Sequence, residues 1–214
     1  HLATLDGYAS LIESAILLHA LTAETGYLSQ ARALTDSSIR QFWNGEADAF
    51  DFTSRDARDI IVRSCFGTDD ATPNGNAVMA SNLLKLARLA DDASYEDKAN
   101  RIIGRFSAQA LQQPLAYATM LNAAALRADT IEAVITDAKS KHAQDLLSAL
   151  ARRIGPDIVV TPIDDPMSLA VGHPARRKLE GKAPRLYLCR GMTCAAPAET
   201  PDGVEEAVRL LGLM

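Results

Sequence analysis

The segment LDGYASLIESAILLHALTAETGYLSQARALTDSSIRQFW, residues 5–43, carries the pattern that indicates a helical architecture. Positions that recur in steps of three and four lie on one face of a helix. The first such run comprises Leu5, Ala9, Ile12, Ile16 and Ala20, and the second comprises Leu28, Ala31, Leu34, Ser38 and Phe42. Because only a short break at Thr25-Gly26 separates the two runs, we predict an antiparallel helical hairpin.

More helices are predicted after this hairpin. Residues 44–75 change character and indicate a long loop that carries a short β-hairpin near Phe50. A third helix is expected to begin near Asn76, and a fourth to be capped by Ser94, which is followed three residues later by an acidic residue. A fifth helix is expected from Pro114, because the first helical turn tolerates proline. We expect no other strand in this part of the chain.

The pattern changes past Asp129, where short β-branched runs alternate with helical stretches. The predicted strands are residues 133–136, 158–161 and 185–189, with helical stretches over 146–154 and 201–211. The first two strands and the intervening helix have the spacing of a β-α-β unit. We therefore predict a mainly α protein with two domains, a helical-hairpin region over 1–128 and a small α/β region over 129–214.

Composition and charge exclude several classes of function. Of the 214 residues, 48% are hydrophobic, so the chain can bury a sizeable core. The 22 Lys and Arg residues are scattered among 27 Asp and Glu, and the net charge is −5, which argues against nucleic acid as a partner. No apolar run approaches the roughly 20 residues of a membrane span, and no signal-peptide pattern opens the chain.

Cysteine usage and the first residue give two further expectations. The three cysteines are too few and too unevenly placed for a disulfide scaffold, so we expect a cytoplasmic protein in a reducing environment. The chain begins with His1 rather than Met, and we expect a fragment of a longer protein. An incomplete set of hairpins would expose apolar helix faces, which we expect the C-terminal region or, by preference, a second copy in a homodimer to cover.

Three stretches carry a resemblance to a known family. They are LDGYA at residues 5–9, DDATPNGNAV at 69–78 and LYLCRGMTCAAP at 186–197. In this order and at these separations the chain resembles the last third of the spermatogenesis-associated protein 20 family, whose bacterial members are known as thioredoxin-domain proteins. The chain departs from the family pattern at Gly7, where an acidic residue is expected, at Asp70, where glycine is expected, and at Asn74, where serine is expected.

The resemblance implies an architecture for the intact protein. Relatives would carry an N-terminal thioredoxin-like domain followed by a helical toroid of the (α/α)6 type, similar to N-acylglucosamine 2-epimerases and six-hairpin glycosidases. This chain would hold only the later hairpins of such a toroid. The resemblance does not specify a reaction.

The run from Asp69 to Asn76 concentrates carboxylates and amides before a predicted helix. In a helical toroid such helix-entry loops line the mouth, so Asp69 is a candidate acid/base or hydrogen-bonding group, and Asn74 and Asn76 are candidate substrate contacts. The alternative, which we favour, is an elaborate N-cap and turn, since Asn and Asp are the residues that caps require and Gly75 suits a tight turn.

Asp6 and Tyr8 open the first helix and could join Asp69 at the same mouth. Glycosidases place two carboxylates about 5–10 Å apart across the scissile bond, so Asp6 and Asp69 are a candidate catalytic pair, with Tyr8 as a substrate contact. The alternative is that Asp6 caps a helix whose Tyr8 packs inward, which is the commoner use of an acidic residue at a helix start.

Cys189 and Cys194 have neither the C-x-x-C spacing of thioredoxins nor that of zinc sites. The family resemblance adds that an upstream redox domain could service them as a thiol pair, so both are redox candidates. The alternative is two half-buried, inert thiols at a strand end. The four histidines have no ligand spacing and no nucleotide or nucleophile motif is present, so we predict no metal and no cofactor.

Two functional hypotheses remain. The first is a carbohydrate-processing or carbohydrate-binding toroid that takes a sugar or another small molecule at the mouth. The second is a non-catalytic or thiol-redox accessory module beside the thioredoxin-like domain. Aromatic residues make up 5% of the chain, which counts against a complete sugar site.

Overall fold

The first helical hairpin forms where the apolar periodicity places it. The computed structural model describes residues 3–153, 158–163 and 184–213. In chain order it contains α1 (Leu5–Thr22), α2 (Thr25–Phe42), β1 (Trp43–Asn44), β2 (Ala49–Phe50), α3 (Gly75–Ala90), α4 (Ala93–Gln112), a 3-10 turn (Pro114–Tyr117), α5 (Ala118–Ala128), β3 (Ile131–Thr136), α6 (Lys141–Ala151), β4 (Val159–Ile163), β5 (Leu186–Arg190), β6 (Thr193–Cys194) and α7 (Pro201–Leu210). The predicted class, mainly α with a small α/β part, is confirmed.

The chain divides into two compact units. The helical unit extends to Leu17 and resumes over Thr25–Arg127, and the α/β unit comprises Leu18–Glu24 and the residues from Ala128. The division falls between Arg127 and Ala128. Leu18–Glu24 belongs to the α/β unit because of its contacts in space. The sequence prediction had assigned these residues to the helical region.

The helical unit is built around side chains on the inner faces of its helices. Its largest fully buried members include Leu5, Ile12, Phe42, Phe50, Met79, Leu83, Leu86, Ile102 and Met120. Strands β1 and β2 pair antiparallel, with Trp43 opposite Phe50, and a long loop follows to Asn74. Among the described residues before 130 these are the only strands, as predicted.

The cap of α4 differs from the prediction at Ser94. Asp91 adopts a left-handed conformation, with φ 51°, and ends α3. Asp92 follows in an extended conformation and its carboxylate accepts a hydrogen bond from the Ser94 N–H. The N-cap of α4 is therefore Asp92, and Ser94 lies inside the first turn of the helix. The Ser94 prediction was therefore wrong by two residues.

The 3-10 turn modifies the predicted fifth helix. Pro114 begins this turn, and the regular helix α5 begins only at Ala118. The shift matters for the loop before α3, because the Asp69 N–H donates to the carbonyl of Ala116 in this turn at 2.8 Å.

The α/β unit contains a four-stranded sheet in the order β4-β3-β5-β6. Strands β3 and β4 are parallel, as the predicted β-α-β unit requires, and β5 and β6 add antiparallel strands. One face carries Leu186 and Leu188 against residues of α6 and α7 such as Leu146 and Val208. The other face carries a small buried cluster of Val134, Ile163, Tyr187 and Cys189. The end of the predicted helical stretch at Ile154 lies outside the described residues.

Candidate functional site

Asn74 and Asn76 hold the start of α3. The Asn74 side-chain oxygen accepts from the N–H groups of Asn76, at 2.9 Å, and Ala77, at 3.4 Å. The Asn76 oxygen accepts from the Phe50 N–H at 2.8 Å, and its amide donates to the carbonyls of Phe50, at 2.9 Å, and Phe66, at 3.1 Å. Asn76 is 2% exposed, so its amide serves as a buried bridge between β2 and the loop.

Asp69 is occupied by two backbone groups. One carboxylate oxygen accepts from the Asn74 N–H at 2.9 Å, and the other accepts from the Thr119 N–H at 2.8 Å. Thr119 lies in the first turn of α5, whose N–H groups have no partner within the helix. Asp69 therefore joins the start of α3 to the start of α5, and its catalytic assignment stays a prediction.

Tyr8 lies on the inner side of the first hairpin. Its hydroxyl oxygen accepts from the Gln41 amide at 3.1 Å and is 3.5 Å from the Ser37 hydroxyl. Its ring packs edge-on against Phe42, with the ring centroids 5.4 Å apart. These contacts hold Tyr8 between α1 and α2, and its role as a substrate contact stays a prediction.

Asp6 lies against the start of α3. Its carboxylate accepts a hydrogen bond from the Gly75 N–H. A side chain at position 75 would collide with this carboxylate, so the close approach explains glycine there. Burial raises the pKa of the Asp6 carboxyl above its ordinary value, and the hydrogen bond from Gly75 opposes that shift.

A cleft of about 420 Å³ lies beside Asp6. Asp6, Ser10 and Glu13 line it from one face of α1, since residues spaced by four and seven share a helix face. Pro73 and Val78 form part of the facing wall. Asp69 and aromatic side chains are absent from its lining in the described part of the chain. The cleft thus brings Asp6 together with the segment before α3, but its second carboxylate is Glu13 and not Asp69.

Cys189 and Cys194 form a disulfide across the β5–β6 hairpin, with sulfur atoms 2.01 Å apart and Cα atoms 4.0 Å apart. They are direct partners in the register, and the neighbouring Ala195 N–H donates to the carbonyl of Leu188 at 3.0 Å. In an antiparallel ladder the pair next to a hydrogen-bonded pair is the one whose Cα atoms approach most closely. The register therefore brings these two sulfur atoms together.

The hairpin turn sets this register. Gly191 and Met192 form the two-residue connection between β5 and β6, and Gly191 has a φ of 56°. A positive φ at the first central position is typical of a type II′ turn, which matches the twist of paired strands. The run CRGMTC therefore contained a usable signal, because glycine two residues after the first cysteine predicts a tight turn that places the cysteines opposite each other. The spacing of the two cysteines does not by itself predict this turn.

The two sulfur atoms have different surroundings. Cys189 is 1% exposed and belongs to the buried cluster with Val134, Ile163 and Tyr187. Cys194 is half-buried and lies on β6, at the edge of the sheet as described. Cys65 is a free, half-buried thiol in the helical unit, and burial raises its pKa.

Metal sites and membrane-spanning helices are both absent from the parts of the chain that the structure describes. No group of three or more His, Cys, Asp or Glu side chains there could hold a metal ion. None of the helices there combines the length and apolar character that crossing a membrane requires.

Comparisons with known proteins place the chain near one group of relatives. No family model matches the chain. It is 27% identical over 206 residues, or 94% of the chain, to an uncharacterised protein of Caenorhabditis elegans. It is 24% identical over 205 residues, or 92% of the chain, to spermatogenesis-associated protein 20 of Homo sapiens and of Rattus norvegicus. The chain spans 28% of the nematode protein and 26% of the mammalian ones. This homology supports a relationship to the spermatogenesis-associated protein 20 family.

Proposed function

We propose that this chain is a thiol-redox accessory module whose working group is the Cys189–Cys194 pair, reversibly oxidised in the cytoplasm. The observation that carries the proposal is that the two cysteines are opposed in the hairpin register and bonded to each other. Thiol–disulfide exchange requires two sulfur atoms that can meet without rearrangement of the backbone and a sulfur that a reagent can reach. The hairpin register lets the two sulfur atoms meet without a change in the backbone. Half-buried Cys194 provides a sulfur that a reagent can reach.

The disulfide makes only a modest contribution to the stability of the fold. It joins residues separated by 5 positions, and the chain-entropy model assigns about 2 kcal/mol to so short a loop. Strand β5 is already paired with β3 over five residue positions, from Leu186 to Arg190, so the hairpin has other support. A bond that contributes modestly to stability and lies at a sheet edge is suited to reversible use.

The family relationship suggests the reductant. The resemblance implies a thioredoxin-like domain in intact relatives, and we propose that this domain, or a separate dithiol protein of that type, exchanges electrons with Cys189 and Cys194. The chain would then act as the accessory that stores or transmits the oxidised state.

The test is the redox equilibrium of the pair in a Cys65→Ser background. The protein is equilibrated in mixtures of reduced and oxidised dithiothreitol and its free thiols are counted after acid quenching. We expect a midpoint less negative than about −300 mV, the range below which structural disulfides resist reduction. Circular dichroism should show that the reduced protein stays folded. A pair that is reduced only after unfolding contradicts the proposal.

A second candidate function is carbohydrate binding at the Asp6 cleft, in a hairpin array of the toroid type. Its volume of about 420 Å³ falls within the range of about 300–1,000 Å³ that small-molecule sites occupy. A carboxyl with a raised pKa in a cleft is a recognised indicator of acid/base sites. Asp6 and Glu13 are seven residues apart on α1, which corresponds to a rise of about 10 Å, near the wider carboxyl spacing of inverting glycosidases.

Titration calorimetry with N-acylglucosamine and with common disaccharides tests this candidate. We expect binding by the parent protein and at least about tenfold weaker binding by Asp6→Asn, because the carboxylate is the group placed at the cleft wall. Asp70→Asn changes an exposed acid outside the cleft and should bind like the parent. The absence of binding, or equal binding by both variants, contradicts the candidate.

A further inference from the structure

We infer that Cys194 is the sulfur that an incoming thiolate attacks and that Cys189 is the sulfur released, so that the pair is used in one direction. The inference rests on the proposed function. It adds the partner class, a dithiol reductant with an accessible nucleophilic sulfur, and it assigns a separate role to each cysteine.

The first argument is access. Thiolate attack requires the nucleophile to approach the attacked sulfur from the side opposite the sulfur that leaves. For Cys194 this side faces away from β5, past the edge strand β6 of the described sheet. For Cys189 this side faces toward β3, whose Glu132 is its register partner. Val134 of β3 and Tyr187 of β5 belong to the same buried cluster as Cys189. Cys189 is 1% exposed, so approach to it requires displacement of packed side chains, whereas half-buried Cys194 is the more accessible of the two.

The second argument is the surface that surrounds Cys194. Its exposed neighbours along the chain are Met192, which is 81% exposed, Thr193, Ala196 and Pro197. None of these side chains is charged, so none repels an anionic thiolate. Across the hairpin, the Arg190 guanidinium pairs with the Asp129 carboxylate at 2.7 Å and 2.9 Å.

The exchange balances in two steps. The partner's thiolate bonds to the Cys194 sulfur, the Cys189–Cys194 bond breaks, and Cys189 leaves with the electron pair and takes up a proton. The partner's second thiolate then attacks the partner sulfur of the mixed disulfide, which releases Cys194 as a thiolate. The pair gains two electrons and the dithiol becomes a disulfide.

The direct test locates the mixed disulfide on the oxidised Cys65→Ser protein. Reduced glutathione is added in excess as the probe, the reaction is quenched with acid at early times, and free thiols are alkylated. Trypsin cleaves after Arg190, so Cys189 and Cys194 fall on different peptides. We expect glutathione on Cys194 and the alkyl group on Cys189. Glutathione on Cys189, or equal amounts on both, would overturn the inference.

Single-cysteine variants supply an independent measurement. Cys65→Ser/Cys189→Ser retains only Cys194, and Cys65→Ser/Cys194→Ser retains only Cys189. In the folded state we expect Cys194 to react with oxidised glutathione at least about tenfold faster than Cys189, because reactivity follows exposure and thiolate character. In denaturant the two rates should agree. Equal folded-state rates would count against the inference.

The two proposals fail in different ways. If the midpoint measurement shows that the pair cannot be reduced in the folded protein, the redox function fails and this inference fails with it. If the pair is reduced at a mild potential but glutathione appears on Cys189, the redox function stands and only the direction assigned here is wrong.

Discussion

The start of α3 and the β5–β6 hairpin both concentrate side chains that can carry chemistry, but the structure uses them in different ways. Asp69, Asn74 and Asn76 have their polar atoms bound to backbone groups of the loop and of neighbouring elements. Cys189 and Cys194 instead lie opposite each other in a regular hairpin and are joined by a disulfide. Polar side chains in irregular backbone therefore form hydrogen bonds with the N–H and C=O groups that such backbone leaves unpaired.

The reason for the difference lies in the atoms. Carboxylate and amide oxygens are strong acceptors, and an amide is also a donor, so these side chains can replace the partners that a loop lacks. A cysteine sulfur is a weak donor and acceptor and cannot do the same. In a regular hairpin the backbone already supplies its own partners, which leaves the two sulfur atoms available for reaction with each other.

The largest expected effect is a loss of stability when the hydrogen bonds at the start of α3 are removed. Asn76→Ala removes three hydrogen bonds, to Phe50 twice and to Phe66, and leaves buried backbone groups unpaired. We expect a loss of about 3 kcal/mol in the free energy of unfolding, measured by urea denaturation. The matched control is Asn122→Ala on the exposed face of α5, which should stay within about 0.5 kcal/mol of the parent. A loss below about 1 kcal/mol for Asn76→Ala would show that the amide does not hold the loop.

A smaller effect tests the hairpin side. Gly191 has a φ of 56°, and no atom lies within 4 Å of the Cβ that alanine would add, so Gly191→Ala acts through the backbone alone. We expect a destabilisation of about 1–2 kcal/mol in urea, the cost of a left-handed conformation for an L-residue with a side chain. Gly104→Ala provides a control of opposite sign. Gly104 is exposed in α4 with equally open space, and alanine there should stabilise the protein by about 0.5–1 kcal/mol. If both variants change the free energy of unfolding in the same direction, the turn assignment is wrong.

The smallest expected effect concerns the N-cap of α4, which was predicted at Ser94 and lies at Asp92. Asp92→Ala should lower the midpoint of thermal unfolding more than Ser94→Ala does, because Asp92 is the N-cap and Ser94→Ala keeps the hydrogen bond from the backbone N–H at position 94. Hydrogen bonds from the Ser94 side chain and backbone lower the pKa of Asp92. Its stabilising contribution is therefore present above its ordinary pKa and is lost as pH falls through the lowered value. The difference between parent and Asp92→Ala should shrink in acid, and a difference that grows in acid would reject this cap.

Features that depend on residues close together in the chain could be predicted from the sequence. The helices of the first hairpin, the short strand pair near Phe50 and the β-α-β order all followed from spacings of two to four residues, because side-chain periodicity is a local property of helix and strand. The Gly191 turn also lay within reach of local reasoning, since a positive φ in a two-residue connection favours glycine.

The hydrogen-bond partners of the candidate site residues could be read only from the folded structure. The partners of Asn76 and Asp69 include Phe50, 26 residues away, and Thr119, 50 residues away, and no local pattern specifies such pairs. Asp6 likewise acquires its raised pKa from burial beside Gly75, and it shares its cleft with Glu13 rather than with the predicted Asp69. The physical reason is that a polar side chain in a loop takes whichever unpaired backbone group the folded chain brings within hydrogen-bonding distance.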